Sequence, residues 1–328
     1  MSTPLPPLPP SYPVQVHHYY PSTTSSKPAQ TYEHLVPSSS SSPPLNALVF
    51  IHGLGDGPHT IPYVRRLAKF LAGGGAPGWS VFEARLSSGF SAFGYSSLRQ
   101  DVDDIRGLVK FLRQGLGRQK LVLLGHSTGC QDCLEYAAMI EGRGTWAASL
   151  LGEEDKEGVK VDGYVLQGPV SDREAIGMVE DEGEVRRATK VAERMVKEGR
   201  GEEVMSREEL PRGWRGSPVT GYRWWSLAAV GGDDDYFSSD LPDSRLAEIW
   251  GNIDVPVLIV PSEKEEWVPS SVDVPGMIER WKSFAKPGIV SELGGLIPGA
   301  NHRVDNDQGQ EWLSDRVARF LRDIETRP

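Results

Sequence analysis

A serine flanked by two glycines is the residue of this chain best suited to nucleophilic chemistry. It lies in Gly125-His-Ser127-Thr-Gly129, directly after the apolar run Leu121–Leu124 and directly before a segment with helical spacing of its apolar residues. A strand, a sharp turn and a helix in this order present the serine hydroxyl above a sheet. The helix N-terminus also supplies N–H groups where an oxyanion would form. The pattern therefore predicts that Ser127 attacks a carbonyl carbon.

A nucleophilic serine needs a base, and His302 is the best candidate. Of the seven histidines, six precede Ser127 and only His302 follows it, in the loop Ile297-Pro-Gly-Ala-Asn-His302. A neutral imidazole can accept the serine proton and return it to a leaving group. We therefore predict His302 as the general base. His52 and His126 flank turns, and we assign them structural roles.

The third member of such a set is an acid, and a loop after a later apolar run offers several. The loop reads Pro261-Ser-Glu-Lys-Glu-Glu-Trp-Val-Pro269. In loops of this kind the acid commonly lies four residues before a proline, which favours Glu265. Some families use a glutamate although it reaches one methylene further than an aspartate. Glu266, Asp240 and the run Asp233–Asp235 remain alternatives, and a salt-bridged surface role for Glu265 is also open.

The three candidates follow successive strands of an α/β pattern. Helical segments alternate with most of the strands, which predicts a mostly parallel, doubly wound sheet with helices on both faces. The chain order Ser127, Glu265, His302 is the order of the α/β-hydrolase fold. In such sheets the site lies at the carboxyl ends of the strands. Eight segments are predicted as strands: 14–20, 31–36, 45–51, 79–84, 121–124, 163–167, 255–260 and 288–293.

A glycine-rich loop, His52-Gly-Leu-Gly-Asp-Gly57, follows the third predicted strand. It contains neither G-x-G-x-x-G nor G-K-[ST], the patterns of nucleotide-binding loops. We predict instead that it contributes the backbone N–H of Leu54 to an oxyanion hole, with the N–H of Thr128 as the second donor. No metal and no organic cofactor is predicted.

The domain organisation follows from changes in composition. Residues 1–44 are rich in proline and serine, with a strand pair that we expect to join the sheet, and residues 45–328 form the predicted hydrolase domain. The α/β alternation breaks at about 173–226, which we interpret as a cap inserted after the sixth strand. The cap contains a highly charged helix, and its charges are typical of a solvated face. The run Asp233–Asp235 is predicted to be a solvated loop.

Three aromatic residues are candidates for the wall of a substrate pocket. Trp224 and Trp225 lie in the predicted cap, and Phe93 lies in a loop that faces the same end of the sheet. Packing in the core remains the alternative for each of them.

Composition excludes several classes of partner. The net charge of −10 argues against nucleic acid and anionic membrane surfaces. No apolar run approaches the roughly 20 residues that span a bilayer. The N-terminal stretch has no basic region and no apolar core, so it does not resemble a secretory signal. The two cysteines, Cys130 and Cys133, are spaced for packing on one helix. These features predict a cytoplasmic protein.

Several stretches together resemble a family of fungal α/β-hydrolases, the siderophore esterases that act on fusarinine C. They run from about residue 45 to the C-terminus, and those beyond Ser127 are far more specific than G-x-S-x-G. The stretches are His52-Gly-Leu-Gly-Asp-Gly57, Ile61-Pro-Tyr63, Gly125-His-Ser-Thr-Gly-Cys-Gln-Asp132, Gln167-Gly-Pro-Val-Ser-Asp-Arg-Glu174 and Gly232-Asp-Asp-Asp-Tyr-Phe-Ser-Ser-Asp-Leu241.

The resemblance implies a substrate class. It implies hydrolysis of ester bonds in hydroxamate siderophores, iron-loaded or iron-free, inside the cell, and it carries over Ser127 and His302 directly. The acid position departs from the family pattern, since Ser262-Glu-Lys-Glu-Glu266 stands where Ser-Gly-Lys-Asp-Glu is expected. A general carboxylesterase or thioesterase, or a binding protein that keeps the fold without turnover, are the alternatives. The sequence predicts no oligomeric state.

Overall fold

A seven-stranded sheet forms the centre of the computed structural model, which describes residues 10–21, 26–142 and 159–327. Its order is β1-β2-β4-β3-β5-β6-β7, with β1 and β2 antiparallel and β3 to β7 mutually parallel. Most of the proline-rich start and most of a polar stretch at 141–160 lie outside the described residues. The strands are β1 (Val14–Tyr19), β2 (Ala29–His34), β3 (Asn46–Ile51), β4 (Trp79–Ala84), β5 (Leu121–His126), β6 (Gly163–Gln167) and β7 (Val257–Val260).

The parallel strands are apolar throughout because helices cover both faces of the sheet. Every residue of β3 and β5 is buried, as expected for strands that face a core on each side. The pairing of β3 with β5 runs from Ala47 opposite Leu121 to Ile51 opposite Gly125. This register places the end of β3 beside the glycine that precedes Ser127.

Nine helices of the described residues surround the sheet. One face packs against α2, α3, α7 and α8, and the other against α1 and α9. Helices on both faces of a mostly parallel sheet confirm the predicted α/β architecture. The helices are α1 (Pro62–Phe70), α2 (Leu98–Lys110), α3 (Gly129–Ile140), α4 (Asp172–Val179), α5 (Glu182–Lys197), α6 (Gly221–Ala228), α7 (Asp243–Gly251), α8 (Val274–Phe284) and α9 (Asp307–Glu325).

The predicted eighth strand, 288–293, is wrong. This segment runs beside β7, but within the described residues it forms only an isolated parallel bridge between Val290 and Val257. Turns lie on both sides of that bridge: the N–H of Ile289 donates to the carbonyl of Lys286 at 3.1 Å, and the N–H of Gly294 donates to the carbonyl of Ser291 at 3.3 Å. The segment is therefore too interrupted by turns to continue the ladder.

Helices α4, α5 and α6 lie in the segment predicted as a cap, 173–226, and have an apolar cluster of their own. Helix α5 begins at an Asp181 side chain that accepts a hydrogen bond from the N–H of Glu184, and it buries only Ala188, Ala192 and Met195. Leu54, from the glycine-rich loop, packs against the same cluster. The segment therefore contacts the loop that was predicted to stabilise an oxyanion.

None of the helices in the described parts of the chain combines the length and the apolar character that a membrane crossing requires.

We predict that Gly129→Ala strongly destabilises the fold. A Cβ at this position would lie 2.3 Å from the carbonyl oxygen of Ile51, which is backbone and cannot rotate away. We expect the free energy of unfolding to fall by about 2–4 kcal/mol, measured by urea denaturation. Gly177→Ala is the matched control, because a Cβ at this exposed position of α4 has no neighbour within 4 Å. It should raise stability by about 0.5–1 kcal/mol, and equal midpoints for the two variants would contradict the prediction.

Candidate active site

Ser127 occupies a strained turn between β5 and α3. Its φ is 55°, in a region that few residues other than glycine adopt. Its N–H donates to the carbonyl of Gln167 at 3.0 Å, and its carbonyl accepts from the N–H of Cys130 at 2.8 Å. A Cβ on Gly125 would lie 2.3 Å from the carbonyl oxygen of Gly129. The two glycines are thus required by the close approach of backbone on either side of the serine, as in a nucleophile elbow.

The loop after β3 lies directly against Ser127. A Cβ on Gly53 would be 2.7 Å from the Cβ of Ser127 and 3.3 Å from its Oγ. The N–H of Asp56 donates to the carbonyl of Gly53 at 3.2 Å, and Gly55 has a φ of 75°. A positive φ at the third position of such a turn is the mark of a type II turn. Leu54 therefore stands at the first corner of a tight turn next to the serine.

Two backbone donors are left free near the serine. Within the described residues, no hydrogen bond engages the N–H of Leu54 or that of Thr128. Thr128 directly precedes the first residue of α3, where backbone N–H groups have no partner inside the helix. These two groups can therefore donate to an oxyanion formed at the Ser127 hydroxyl.

His302 and Glu265 form a buried pair. The Nδ1 of His302 lies 2.8 Å from Oε1 and 2.9 Å from Oε2 of Glu265. The two side chains are only 7% and 4% exposed. Gly168 closes this pair in, since a Cβ there would lie 3.1 Å from the Cε1 of His302. The carboxylate thereby fixes the imidazole orientation and leaves Nε2 as its other functional nitrogen.

The neighbouring glutamates hold the loop of His302 through its backbone. Glu266 accepts a hydrogen bond from the His302 N–H at 2.8 Å, and Glu263 accepts one from the Gly299 N–H at 2.5 Å. The sequence had left Glu265 and Glu266 as alternatives for one role. The structure gives them different partners, the ring and the backbone of the same histidine. Because the two glutamates are adjacent in one loop, the sequence did not indicate which of them would contact the ring and which the backbone.

The other candidate acids have partners elsewhere. Asp240 accepts from the guanidinium of Arg173 at the protein surface. Asp233 accepts from the Tyr222 hydroxyl at 2.5 Å. Within the described chain, neither carboxylate hydrogen-bonds to His302. Glu265 is therefore the carboxylate that the fold brings to the histidine ring.

The run Asp233–Asp235 is not the solvated loop that the sequence suggested. Asp234 is only 2% exposed, and it accepts from Arg223 at 2.7 Å and from the Ser226 hydroxyl at 2.5 Å. Asp235 is also buried and accepts from the Ser238 hydroxyl. The prediction was wrong because the guanidinium groups that pair with these buried carboxylates lie outside the run, on Arg223 of α6 for Asp234 and on Arg173 of α4 for Asp235.

Arg223 lies among further buried acids that the sequence gave no reason to connect. Burial raises the pKa of Asp101 to about 7, and it raises the pKa values of Asp132 and Asp172 well above their usual range, while the charge of Arg223 acts in the opposite direction on all three. The guanidinium also donates to the carbonyl of Phe93 at 2.9 Å. Arg223 therefore joins α6 to the loop after β4 and to the region behind Ser127.

His126 is kept neutral beside His302. The two ring centroids are 4.8 Å apart, and burial, followed by the nearby His302, lowers the pKa of His126 well below its usual value. The Gln167 side chain joins the pair, since its Oε1 lies 2.5 Å from Nδ1 of His126 and its Nε2 donates to the His302 carbonyl at 3.2 Å. The ring of His126 therefore places no positive charge beside His302.

The Ser127 hydroxyl forms no hydrogen bond within the described residues. It is half-buried. Hydrogen bonds between nucleophile and base are often long or poorly aligned in free enzymes and tighten when substrate binds. The arrangement thus provides a positioned serine, an oriented imidazole and two free N–H groups, which are the parts needed for acyl transfer.

The three aromatic candidates differ in exposure. Trp224 is fully buried, and its indole N–H donates to the Thr189 hydroxyl. It packs edge-on against Trp214 at 5.1 Å, and Trp214 packs against Phe93 at 5.7 Å. This corrects the pocket prediction for Trp224, whose ring has no surface left for a ligand in this conformation. Phe93 and Trp225 are half-buried and remain candidates.

One group in the described residues has the side-chain types of a metal site. His34, His59 and Glu83 bring three ligand atoms within 4.8 Å of one another. Both ring nitrogens approach the same carboxylate oxygen, at 2.5 and 2.9 Å, whereas two ligands of one tetrahedral zinc ion are about 3.3 Å apart. The other nitrogen of His34 is buried without a partner, although metal-bound imidazoles generally donate through it. The group therefore fits a hydrogen-bonded contact better than a metal centre.

Comparison with known proteins agrees with this fold. A family model described as a protein of unknown function (DUF1749) matches residues 7–322. An esterase of Emericella nidulans is 30% identical over 331 residues, covering 86% of this chain and 88% of that protein. The fusarinine C esterase of Aspergillus fumigatus is 28% identical over 354 residues, covering 93% and 94%. These relatives confirm the resemblance to fungal siderophore esterases.

Solved structures give the same fold. The siderophore hydrolase EstB of Aspergillus fumigatus superposes with a TM-score of 0.75 at 24% identity, covering 97% of this chain and all of that one, 100%. A monoglyceride lipase of Saccharomyces cerevisiae superposes with a TM-score of 0.58 at 15% identity, covering 97% and 99%. The α/β-hydrolase prediction is thus confirmed. The chain belongs to the DUF1749 family.

Proposed function

We propose that this protein is a serine esterase that cleaves ester bonds of hydroxamate siderophores of the fusarinine C type. Its similarity to named esterases with the same fold makes it a carboxylic ester hydrolase. The identity of the substrate is what we propose in addition. The observation that carries the mechanism is the buried contact between Glu265 and His302, whose ring lies 4.8 Å from that of His126, the residue before the strained turn at Ser127. Two relatives whose names specify siderophore hydrolysis support the substrate.

The proposed reaction begins with attack of the Ser127 hydroxyl on the ester carbonyl. His302 takes the serine proton at Nε2 while Glu265 holds Nδ1–H and stabilises the imidazolium. The N–H groups of Leu54 and Thr128 donate to the oxyanion of the tetrahedral intermediate. The imidazolium then protonates the departing alkoxide, which leaves an acyl-enzyme.

The second half of the proposed reaction releases the acid. His302 removes a proton from water, and the hydroxide that forms attacks the acyl carbon of the ester to Ser127. The same two N–H groups stabilise the second oxyanion, and the serine regains its proton when the intermediate collapses. Iron bound by a hydroxamate substrate is part of that substrate and takes no role in these steps.

The segment 173–226 is suited to act as a cap over a large polar substrate. Its apolar cluster packs against Leu54, so it borders the proposed oxyanion hole. Its α6 is tied through Arg223 to the carbonyl of Phe93. The half-buried rings of Phe93 and Trp225 are therefore the aromatic surfaces that we assign to substrate contact. Trp224 supports them from behind.

Turnover of fusarinine C, followed by mass spectrometry, tests the proposal. We expect wild-type protein to open the ring and Ser127→Ala to be slower by about 10³-fold or more, for the iron-loaded form, the iron-free form or both. Circular dichroism should show that the variant remains folded. Cleavage of a small nitrophenyl ester without cleavage of fusarinine C would instead indicate a general carboxylesterase. If folded wild-type protein cleaves neither substrate, the result would favour a binding protein without turnover.

Amide substitutions identify the acid. We expect Glu265→Gln to lower kcat by about 10³–10⁴-fold, since an amide next to Nδ1 cannot stabilise the imidazolium. Glu266→Gln should cost much less, because an amide oxygen still accepts the His302 N–H. Asp240→Asn is the control and should leave kcat unchanged. A larger loss in Glu266→Gln than in Glu265→Gln would overturn the assignment.

A further inference from the structure

The turn that presents Leu54 is closed by Asp56. The N–H of Asp56 donates to the carbonyl of Gly53 at 3.2 Å, and the carbonyl of Asp56 accepts from the N–H of Phe90 at 2.8 Å. Because Gly53 touches Ser127, the position of Asp56 determines where the Leu54 N–H stands relative to the serine. A contact to the Asp56 side chain can therefore control the proposed oxyanion donor.

Arg303 makes that contact. Its Nη1 donates to Oδ1 of Asp56 at 3.1 Å, and its Nη2 donates to the carbonyl of Thr60 at 2.5 Å. The planar guanidinium thus hydrogen-bonds to both ends of the stretch from Asp56 to Thr60. A guanidinium holds several donors in one fixed plane, whereas the ammonium group of a lysine does not. Arg303 directly follows His302 in the chain. One residue therefore joins the loop of the proposed donor to the loop of the proposed base.

The rest of the glycine-rich loop is already fixed from the opposite side. The N–H of His59 donates to Oε2 of Glu83 at 2.6 Å, and its ring nitrogen lies 2.9 Å from Oε1. Burial would raise the pKa of Glu83, but hydrogen bonds from His34 and His59 outweigh it and lower that pKa to about 2. The carboxylate therefore remains charged and anchors His59 to β4. The part of the loop that can still move relative to His302 is Asp56. The contact with Arg303 opposes that movement.

We propose that Arg303 is a positioning residue that holds the Leu54 N–H in register with His302 through Asp56. The inference rests on the proposed function, because it assigns Leu54 and His302 their roles in acyl transfer. The guanidinium is 40% exposed and Asp56 is 17% exposed. Ion pairs with exposed partners add little to folding stability, whereas misplacing a reacting group by about 1 Å can cost 10²-fold in rate. Loss of Arg303 should thus affect turnover far more than folding.

The test compares Arg303→Lys with the wild type on the ester substrate that the wild type cleaves. We expect kcat to fall by about 10–100-fold while KM changes by less than about threefold and the melting temperature stays close to that of the wild type. Hydrogen exchange followed by mass spectrometry should become faster in residues 53–60. Arg319→Lys is the matched control, because Arg319 pairs with Asp315 on the exposed face of α9 and should change none of these quantities.

A double-mutant cycle tests whether the effect passes through Asp56. Arg303→Ala and Asp56→Ala should each lower kcat, and the double variant should be no slower than the slower single variant. A purely structural role predicts additive losses that follow the melting temperature, and that result would overturn the proposal.

The inference and the proposed function fail in different experiments. A kcat of Arg303→Lys within about twofold of the wild type would overturn the role of Arg303. So would unchanged exchange in residues 53–60, which can be measured even if no substrate is cleaved. Failure of the proposed function would instead show in the wild type, as absent turnover or as turnover that persists in Ser127→Ala.

Discussion

The close approach between two backbone segments, the end of β3 and the turn at Ser127, is the constraint on which the site depends. Side chains cannot fit between them, as the positions of Gly53 and Gly129 show. The contact exists because β3 and β5 are adjacent parallel strands whose ends are level in register. Since each strand ends at the same edge, the loops that follow them meet there. Ser127 and the backbone of Leu54 are thereby placed by backbone packing, with little dependence on side-chain conformation.

The charge distribution around the site is set by a neutral histidine next to His302 and by a buried guanidinium farther away. Burial lowers the pKa of His126 and keeps that ring neutral, while the carboxylate of Glu265 lies 2.8 Å from the Nδ1 of His302. Farther back, one guanidinium, that of Arg223, lies among several buried acids. Removal of a single partner from such a cluster leaves an uncompensated charge and is generally more damaging than replacing the whole cluster. The segment 173–226 and the helices next to the sheet therefore share this buried cluster.

The sequence predicted those parts of the site that depend on local pattern. Ser127 was predictable because the glycine spacing follows directly from the geometry of its turn. The side-chain contact between Glu265 and His302 followed from chain order and from a proline four residues further on. Which glutamate contacts the His302 ring and which its backbone N–H was not predictable, since this depends on how two loops lie side by side. The eighth strand was overestimated because apolar content does not reveal where turns, here at 286–289 and 291–294, interrupt pairing.

The N-terminal hairpin has a consequence for solubility. Without β1 and β2 the parallel part of the sheet would end at β4, whose unpaired backbone groups would form an edge open to other chains. The hairpin covers that edge, and Thr31 and His34 of β2 bond to the backbone and the side chain of Glu83. Because Glu83 also holds His59, just after the glycine-rich loop, one residue contributes both to covering this edge and to ordering the chain near Ser127. Substitutions on the edge of the hairpin that faces β4 are therefore expected to affect the loop next to Ser127 as well as the pairing of the sheet.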